Sequence, residues 1–292
     1  MREMRLRAMA KINLGLDVIR KRPDGYHDLR MIMQTVDLFD RIKLTATKTQ
    51  GIRVQTNLRF LPVNENNLVY KAAQLLLDEF ALEEGIFIDL YKHIPVAAGL
   101  AGGSADAAAV LVGMNRMFSL GLTEQELMDR GVRLGADVPY CILRGTALAE
   151  GIGEHLTRLP APPDCYVLLA KPGVHVSTKY VYSNLHLEEI SRHPDIDGQI
   201  AALKNSDLAG LVSCMGNVLE SVTIPAFPVI AEIKEVMTKN GAAGAMMSGS
   251  GPTVFGLFET ERQALMAMDC LRERELAKQI YLTKWFHCEG EA

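Results

Sequence analysis

Two glycine clusters, a lysine, an aspartate and a tyrosine–histidine pair are the residues of this 292-residue chain whose types and spacing could do chemistry. The first cluster lies in PVAAGLAGGSADAAA, residues 95–109, where glycine runs straight into alanine. Strand-like residues precede it and helix formers follow. The amides around Gly102, Gly103 and Ser104 would therefore point along the positive end of a helix dipole, a cradle that suits polyphosphate. It is not a Walker A loop, because no Gly-Lys-Ser/Thr closes it, and it lacks the dinucleotide pattern G-x-G-x-x-G. A tight turn of small residues made for close helix packing would carry the same letters.

The second cluster, MSGSGPTVFG at 247–256, sits between two strand-like runs and by itself reads as a hairpin loop. Taken together, the two loops could close on one nucleotide triphosphate from both sides of a cleft. Lys11 and Asn13 are two apart on a predicted strand, so both emerge on one face, although a lone lysine is more often simply solvated. Asp137 is predicted on a loop just before the apolar, strand-like run Pro139–Leu143. Alone it is a loop carboxylate or a cap. A phosphoryl-transfer site without a loop lysine needs a cation and a group that orients the attacking hydroxyl, and Lys11 and Asp137 could fill those roles. Tyr26 and His27, just past the turn Pro23-Asp24-Gly25, either stabilise a surface hairpin or offer a stacking face to a base. His93, His155 and His287 are isolated, and metal ligation is not expected of them.

The elements that must position these groups can be read from apolar periodicity. Alternation predicts strands at Ile12–Val18, Met31–Leu38, Ile42–Thr47 and Ile86–Leu90, and helical spacing predicts a helix over Asn67–Phe80. A buried helix is expected at Ala105–Phe118. Thr123 to Glu126 form a capping-box pattern for a further helix that Gly135 would stop. After the proline run at 159–163 the order is a strand at Tyr166–Ala170, polar helical stretches, a helix at Phe227–Lys239, strands at Gly244–Met247 and Thr253–Phe258, a helix capped by Thr260 and a last strand near Ile280. That is β-α-β-β-α-β, the ferredoxin-like pattern, with extra helix in its first crossover. The prolines make 159/160 the expected boundary between domains 1–159 and 160–292.

Composition narrows the class. Lys plus Arg number 31 against 35 Asp plus Glu, a formal charge of -4, so no global basic field recruits nucleic acid or anionic membrane, and an anion site must be local. The five cysteines are scattered without metal spacing, which fits a reducing cytoplasm. Neither a signal-peptide core nor an apolar run of membrane-spanning length is present.

The two glycine motifs resemble those of the GHMP kinases, the superfamily of galactokinase, homoserine kinase, mevalonate kinase and phosphomevalonate kinase. AKINLGLDVIRKRPDGYHDL, GADVPYC and GNVLESVT resemble more narrowly the branch that phosphorylates a cytidine-diphosphate-linked methylerythritol, over essentially the whole chain. The resemblance implies an α+β, two-domain GHMP kinase fold: an N-terminal mixed βαβ domain of ribosomal-protein-like fold and a C-terminal ferredoxin-like domain, with ATP and substrate in the cleft. It implies transfer of the ATP γ-phosphate to the acceptor's 2-hydroxyl in the non-mevalonate route to isoprenoids. Asp137 then matches the catalytic aspartate and Lys11 its lysine partner. ATP would be held by Pro95, Ala97, Gly99, Leu100, Ala101, Gly102, Gly103, Ser104 and Ala105, with Asn67 and Leu68 at the adenosine. The acceptor would be held by Asn13, Tyr26, His27, Thr178, Tyr182, Gly249, Ser250 and Gly251.

Three positions depart from the family pattern. Ala101 and Ala105 stand where Gly and Ser are usual, and Met9 where Pro is common. With no hydroxyl at 105, Ser104 is the better candidate for a phosphate or Mg²⁺ contact. Mg²⁺ is expected with ATP, held by phosphate oxygens and water, with no protein carboxylate named as a ligand. The alternatives are another GHMP kinase, of homoserine or mevalonate type, and a non-catalytic nucleotide sensor on the same fold. The sequence leaves monomer and homodimer open.

Overall fold

The computed structural model describes residues 2–286, so His287 and Cys288 lie outside the described residues. Two compact units interleave along the chain. The first comprises Met1–Ala10, Leu38–Val96 and Ala101–Arg144, and the second Lys11–Asp37, Ala97–Leu100 and Gly145–Ala292. The expected boundary at 159/160 divides the chain as a linear sequence. The units are defined instead by which segments pack together.

Two long strands, β1 (Glu3–Lys21) and β2 (His27–Thr47), contribute residues to both units. The first unit adds β3 (Ile52–Thr56), α1 (Leu68–Glu79), β4 (Gly85–Tyr91), α2 (Gly102–Phe118), α3 (Glu124–Val132) and α4 (Val138–Leu143). Here β4 runs antiparallel to β2 and parallel to β3, with Ile88 opposite both Leu44 and Val54. Ile42, Leu44, Ile86, Ile88 and Leu90 face inward, at alternate positions, as a half-buried sheet requires. Helix α1 buries Val69, Ala72, Ala73, Leu76 and Leu77, a single stripe, and packs on α2. The alanines of α2 are buried, and their small side chains allow neighbours to approach closely. Thr123 and Glu126 form the expected capping box on α3.

Two expectations about these elements are corrected. The runs Met31–Leu38 and Ile42–Thr47 belong to one unbroken strand, β2. Asp40 interrupts the apolar pattern without interrupting the strand, because its carboxylate is fully buried and accepts hydrogen bonds from the His93 and Ile94 amides. The run Pro139–Leu143 is helix, not strand. All six residues of α4 are buried, so no period distinguishes helix from strand there, and Pro139 sits in the first turn where a missing N–H costs nothing.

The second unit adds β5 (Thr146–Gly151), β6 (His155–Leu159), β7 (Tyr166–Lys171), α5 (Thr178–Ser183), α6 (Ile196–Lys204), α7 (Leu208–Ser213), β8 (Gly216–Asn217), α8 (Glu220–Ala226), α9 (Val229–Lys239), β9 (Gly244–Met247), β10 (Val254–Phe258), α10 (Glu261–Glu273) and β11 (Gln279–Lys284). Strand β5 pairs with β2 and β6, and β8 pairs parallel to β1 at Gly15 and Leu16. An antiparallel four-stranded sheet follows the order β11-β7-β10-β9, with α9 and α10 packed against it. That is the expected ferredoxin-like arrangement, with α5 to α8 and β8 in the first crossover. Among the described residues, no helix is long and apolar enough to cross a membrane.

Candidate active site

In the second unit, the turn between β1 and β2 is held by its own side chains. Asp24 accepts from the Tyr26 amide at 3.0 Å and pairs with Arg22 at 2.8 Å, while Gly25 supplies a φ of 88°. This geometry presents Tyr26 to solvent, 59% exposed, and turns His27 back against Tyr182, ring centroids 5.0 Å apart. Burial, reinforced by the nearby Lys21 charge, pushes the His27 imidazole below its usual pKa. His27 is therefore neutral at pH 7 and can hydrogen-bond through either nitrogen.

Lys11 and Asn13 are buried rather than solvated, 4% and 0% exposed, and the Lys11 ammonium donates to Asn13 Oδ1 at 2.9 Å. Around them the unit gathers part of each glycine cluster. The Lys11 amide donates to the Leu100 carbonyl at 3.2 Å, and the Ser248 hydroxyl donates to the Gly99 carbonyl at 2.9 Å. Gly99 has a φ of 74°, and a β-carbon there would collide with the Ser248 carbonyl. Only glycine lets the two loops meet this closely. The loop 248–253 joins β9 to β10, the hairpin the sequence predicts. Its Ser250 hydroxyl is 2.8 Å from that of Thr178, at the start of α5. Thus Lys11, Asn13, Gly99, Leu100, Thr178, Gly249 and Ser250 form one neighbourhood.

In the first unit, α2 starts three residues earlier than expected, at Gly102. Its N-cap Ala101 is left-handed, φ 55°, and makes no side-chain capping bond. The first-turn amides of a 17-residue helix are thus left to other acceptors. Gly103 is exposed and Ser104 half-buried, whereas Ala105 is 2% exposed and points into the core. A serine at 105 would lie in that packed interior, which leaves Ser104 as the hydroxyl of this turn. Pro95 is buried too. Asn67 caps α1, accepting from the Val69 amide at 3.1 Å and donating to the Pro62 carbonyl at 2.8 Å, and Leu68 lies beside Gly103. Asp137 is the half-buried N-cap residue of α4, yet its carboxylate makes no capping hydrogen bond to that helix.

Sequence reading missed a buried triad beneath this turn. The Lys92 ammonium bridges Asp40 and, at 2.6 Å, Asp106, and it lies 3.2 Å from where a Gly102 β-carbon would be. Its residues come from β2, the residue after β4, and α2, so no local spacing announces them. Asp106 Oδ1 is buried without a partner. Burial holds Asp106 well above the usual carboxylate range, the Asp40 charge adding to it and Lys92 opposing it. A carboxyl with a raised pKa stabilises the fold most below its unfolded pKa and loses that stabilisation as pH rises toward its folded value. Asp106→Asn removes this slope. The melting temperature of wild type relative to Asp106→Asn should therefore be lower at pH 8 than at pH 5, as thermal melts of both proteins at both pH values would show. A constant or reversed difference would contradict the assignment.

Residues 67–145 match the GHMP kinases N terminal domain family, and residues 199–275 match the GHMP kinases C terminal family. A 4-diphosphocytidyl-2-C-methyl-D-erythritol kinase of Lachnospira eligens is 59% identical over 98% of this chain and 99% of its own. The chain belongs to that kinase family. A second relative of that name, from Lachnoclostridium phytofermentans, is 54% identical over 98% of each chain. A solved 4-(cytidine 5'-diphospho)-2C-methyl-D-erythritol kinase superposes with a TM-score of 0.83 at 32% identity, covering 97% of this chain and all of that one. Homoserine kinase from Cytophaga hutchinsonii, with a TM-score of 0.78 at 21% identity over 97% of this chain and 95% of its own, shares the fold. Family membership makes the chain an ATP-dependent small-molecule kinase with the two-domain GHMP fold.

Proposed function

We propose that the chain transfers the γ-phosphate of ATP to the 2-hydroxyl of 4-diphosphocytidyl-2-C-methyl-D-erythritol, giving the 2-phosphate and ADP, in the cytoplasm. The observation that carries this acceptor is the β1–β2 turn, which displays Tyr26 and sets a neutral His27 against Tyr182. A small alcohol such as homoserine or mevalonate has no planar base to use that surface. Within this reading, domains 1–159 and 160–292 carry the two family matches, 67–145 and 199–275.

The residues act by orienting groups and offsetting charge, which is most of what phosphoryl transfer requires of a protein. Amides at Gly102, Gly103 and Ser104 receive phosphate oxygens at the positive end of α2, and Ala97, Gly99 and Ala101 shape the approach. Leu68 and Asn67 border the adenosine. Asn13, Gly249, Ser250 and Gly251 hold the acceptor chain, while Tyr26 and His27, with Thr178 and Tyr182 as the far wall, hold its cytosine. Asp137 orients the 2-hydroxyl and accepts its proton, and the Lys11 ammonium offsets charge on the transferring group. Mg²⁺ bound with the triphosphate would supply neutralisation of phosphate charge, held mainly by phosphate oxygens and water. Among the described residues no three His, Cys, Asp or Glu side chains gather to hold an ion, and Ser104 is the candidate hydroxyl for a phosphate or Mg²⁺ contact.

Nucleotide competition tests the cytosine assignment. Free CDP should compete with the acceptor better than UDP, because exchanging the exocyclic amine for a carbonyl turns a donor into an acceptor. Tyr26→Ala should weaken CDP binding by about 1–3 kcal/mol, the range for one lost base–aromatic stack, and leave ATP affinity unchanged. Equal inhibition by CDP and UDP, or no loss on removing Tyr26, would return the chain to the broader class of GHMP kinases.

A further inference from the structure

The stretch GNVLESVT, 216–223, is among those that resemble the family, yet none of its residues has a part in the chemistry above. Two of its polar side chains, Asn217 and Glu220, bond to the backbone of the second glycine loop. Asn217, 6% exposed, donates both Nδ2 hydrogens to that loop, to the Met247 carbonyl at 2.9 Å and the Gly249 carbonyl at 2.8 Å. Its Oδ1 accepts from the Leu219 amide at 3.0 Å, which fixes the orientation of the amide group. Three residues on, Glu220 Oε1 accepts from the Met247 amide at 2.8 Å, and its other oxygen pairs with Lys234 at 2.6 Å. Thr223 donates to the Leu219 carbonyl at 3.1 Å and lies 3.5 Å from the Ser250 carbonyl.

The other end of this bracket is tied to the strand that carries Lys11 and Asn13. Gly216 and Asn217 pair with Gly15 and Leu16 of β1, and the Val218 amide donates to the Leu16 carbonyl at 3.1 Å. The loop so held closes on itself through bonds from the Ser248 amide to the Thr253 carbonyl and from the Gly251 amide to the Ser248 carbonyl, both at 2.9 Å, while Gly249 and Gly251, with φ values of 57° and 89°, have little intrinsic preference for that conformation. A β-carbon on Gly249 would lie 3.7 Å from Asn13 Oδ1, and Ser248 holds the Gly99 carbonyl. The backbone at 247–250 therefore sets the spacing between Asn13, Gly99 and the Ser250–Thr178 hydroxyl pair.

We propose that Asn217 and Glu220 are positioning residues for the acceptor, locking the 247–251 backbone to β1 so that Gly249, Ser250 and Asn13 meet the substrate in one fixed geometry. This rests on the acceptor reading above. Neither residue touches substrate; each acts through the main chain at Met247 and Gly249.

Glu220 supplies the discriminating variants. Glu220→Gln keeps an oxygen that can accept from the Met247 amide but loses the ion pair with Lys234, whereas Glu220→Ala loses both. Glu220→Ala should raise the acceptor KM by roughly tenfold, the scale of one lost hydrogen bond to an ionised group, with the ATP KM within about threefold. Glu220→Gln should recover most of that loss. Asn217→Ala should act in the same direction, and amide hydrogen exchange in folded Asn217→Ala should quicken at 247–251 while α2 keeps its protection. Equal defects in Glu220→Gln and Glu220→Ala would assign the effect to the Lys234 ion pair and overturn the proposal. So would unchanged exchange at 247–251, or equal rises in both KM values. The exchange measurement needs no substrate, so it decides the bracket even if wild-type enzyme rejects the cytidine-diphosphate acceptor, a result that would count against the acceptor reading alone.

Discussion

Asp137→Asn should lower kcat by roughly 10²-fold or more while leaving the KM for both substrates within a few-fold, because the amide keeps the shape of the carboxylate and cannot take the proton. Asp137 begins α4, and its side chain makes no capping hydrogen bond to that helix. Thermal melts separate a loss of chemistry from a loss of fold. Lys11→Met should act in the same direction. Steady-state kinetics with both substrates varied, alongside thermal melts, would check this. A rise in KM at full kcat would reduce Asp137 to a binding group, and full activity would remove it from the mechanism.

The second large effect concerns the phosphate cradle, and the structure decides which glycine to change. Gly102 is a poor probe, since a β-carbon there lies 3.0 Å from Ile94 Cγ2 and 3.2 Å from Lys92 Nζ, and any defect would mix packing with phosphate binding. Gly103 is exposed, and the nearest atom to an added β-carbon is Leu68 Cδ1 at 3.6 Å. Gly103→Val can therefore be accommodated by the fold while its branched side chain stands over the first-turn amides. The ATP KM should rise at least about tenfold, a loss of roughly 1.4 kcal/mol, with the melting temperature little changed. Normal ATP kinetics in folded Gly103→Val would place the triphosphate elsewhere.

What the sequence could and could not convey follows from the range of the interactions involved. The glycine loops, the capping box and the ferredoxin-like order are local patterns, and each stands where its letters place it. Asp137 was legible as a candidate, but its setting was not, because α4 is buried all round and erases the periodicity that separates helix from strand. Asp40 hid the continuity of β2, since a buried charge inside a strand is tolerated only through partners more than fifty residues away. Asn217 gives no signal by spacing, because its hydrogen bonds go to main-chain carbonyls thirty or so residues along the chain, which any sequence possesses. The interleaving of the two units is likewise a fact of pairing, carried by two strands long enough to contribute to both.

The central claim is a specific acceptor, and product analysis tests it most directly. Purified protein with Mg²⁺ and ATP would be offered 4-diphosphocytidyl-2-C-methyl-D-erythritol, homoserine and mevalonate in turn, with ADP followed by a coupled assay and the phosphorylated carbon read by ³¹P NMR. The account predicts one ADP per acceptor and a phosphate monoester on the 2-hydroxyl with the cytidine-diphosphate substrate, and no turnover above background with the other two. ADP formation with homoserine or mevalonate but not with the cytidine-diphosphate acceptor, or ATP binding without turnover on any of the three, would contradict it.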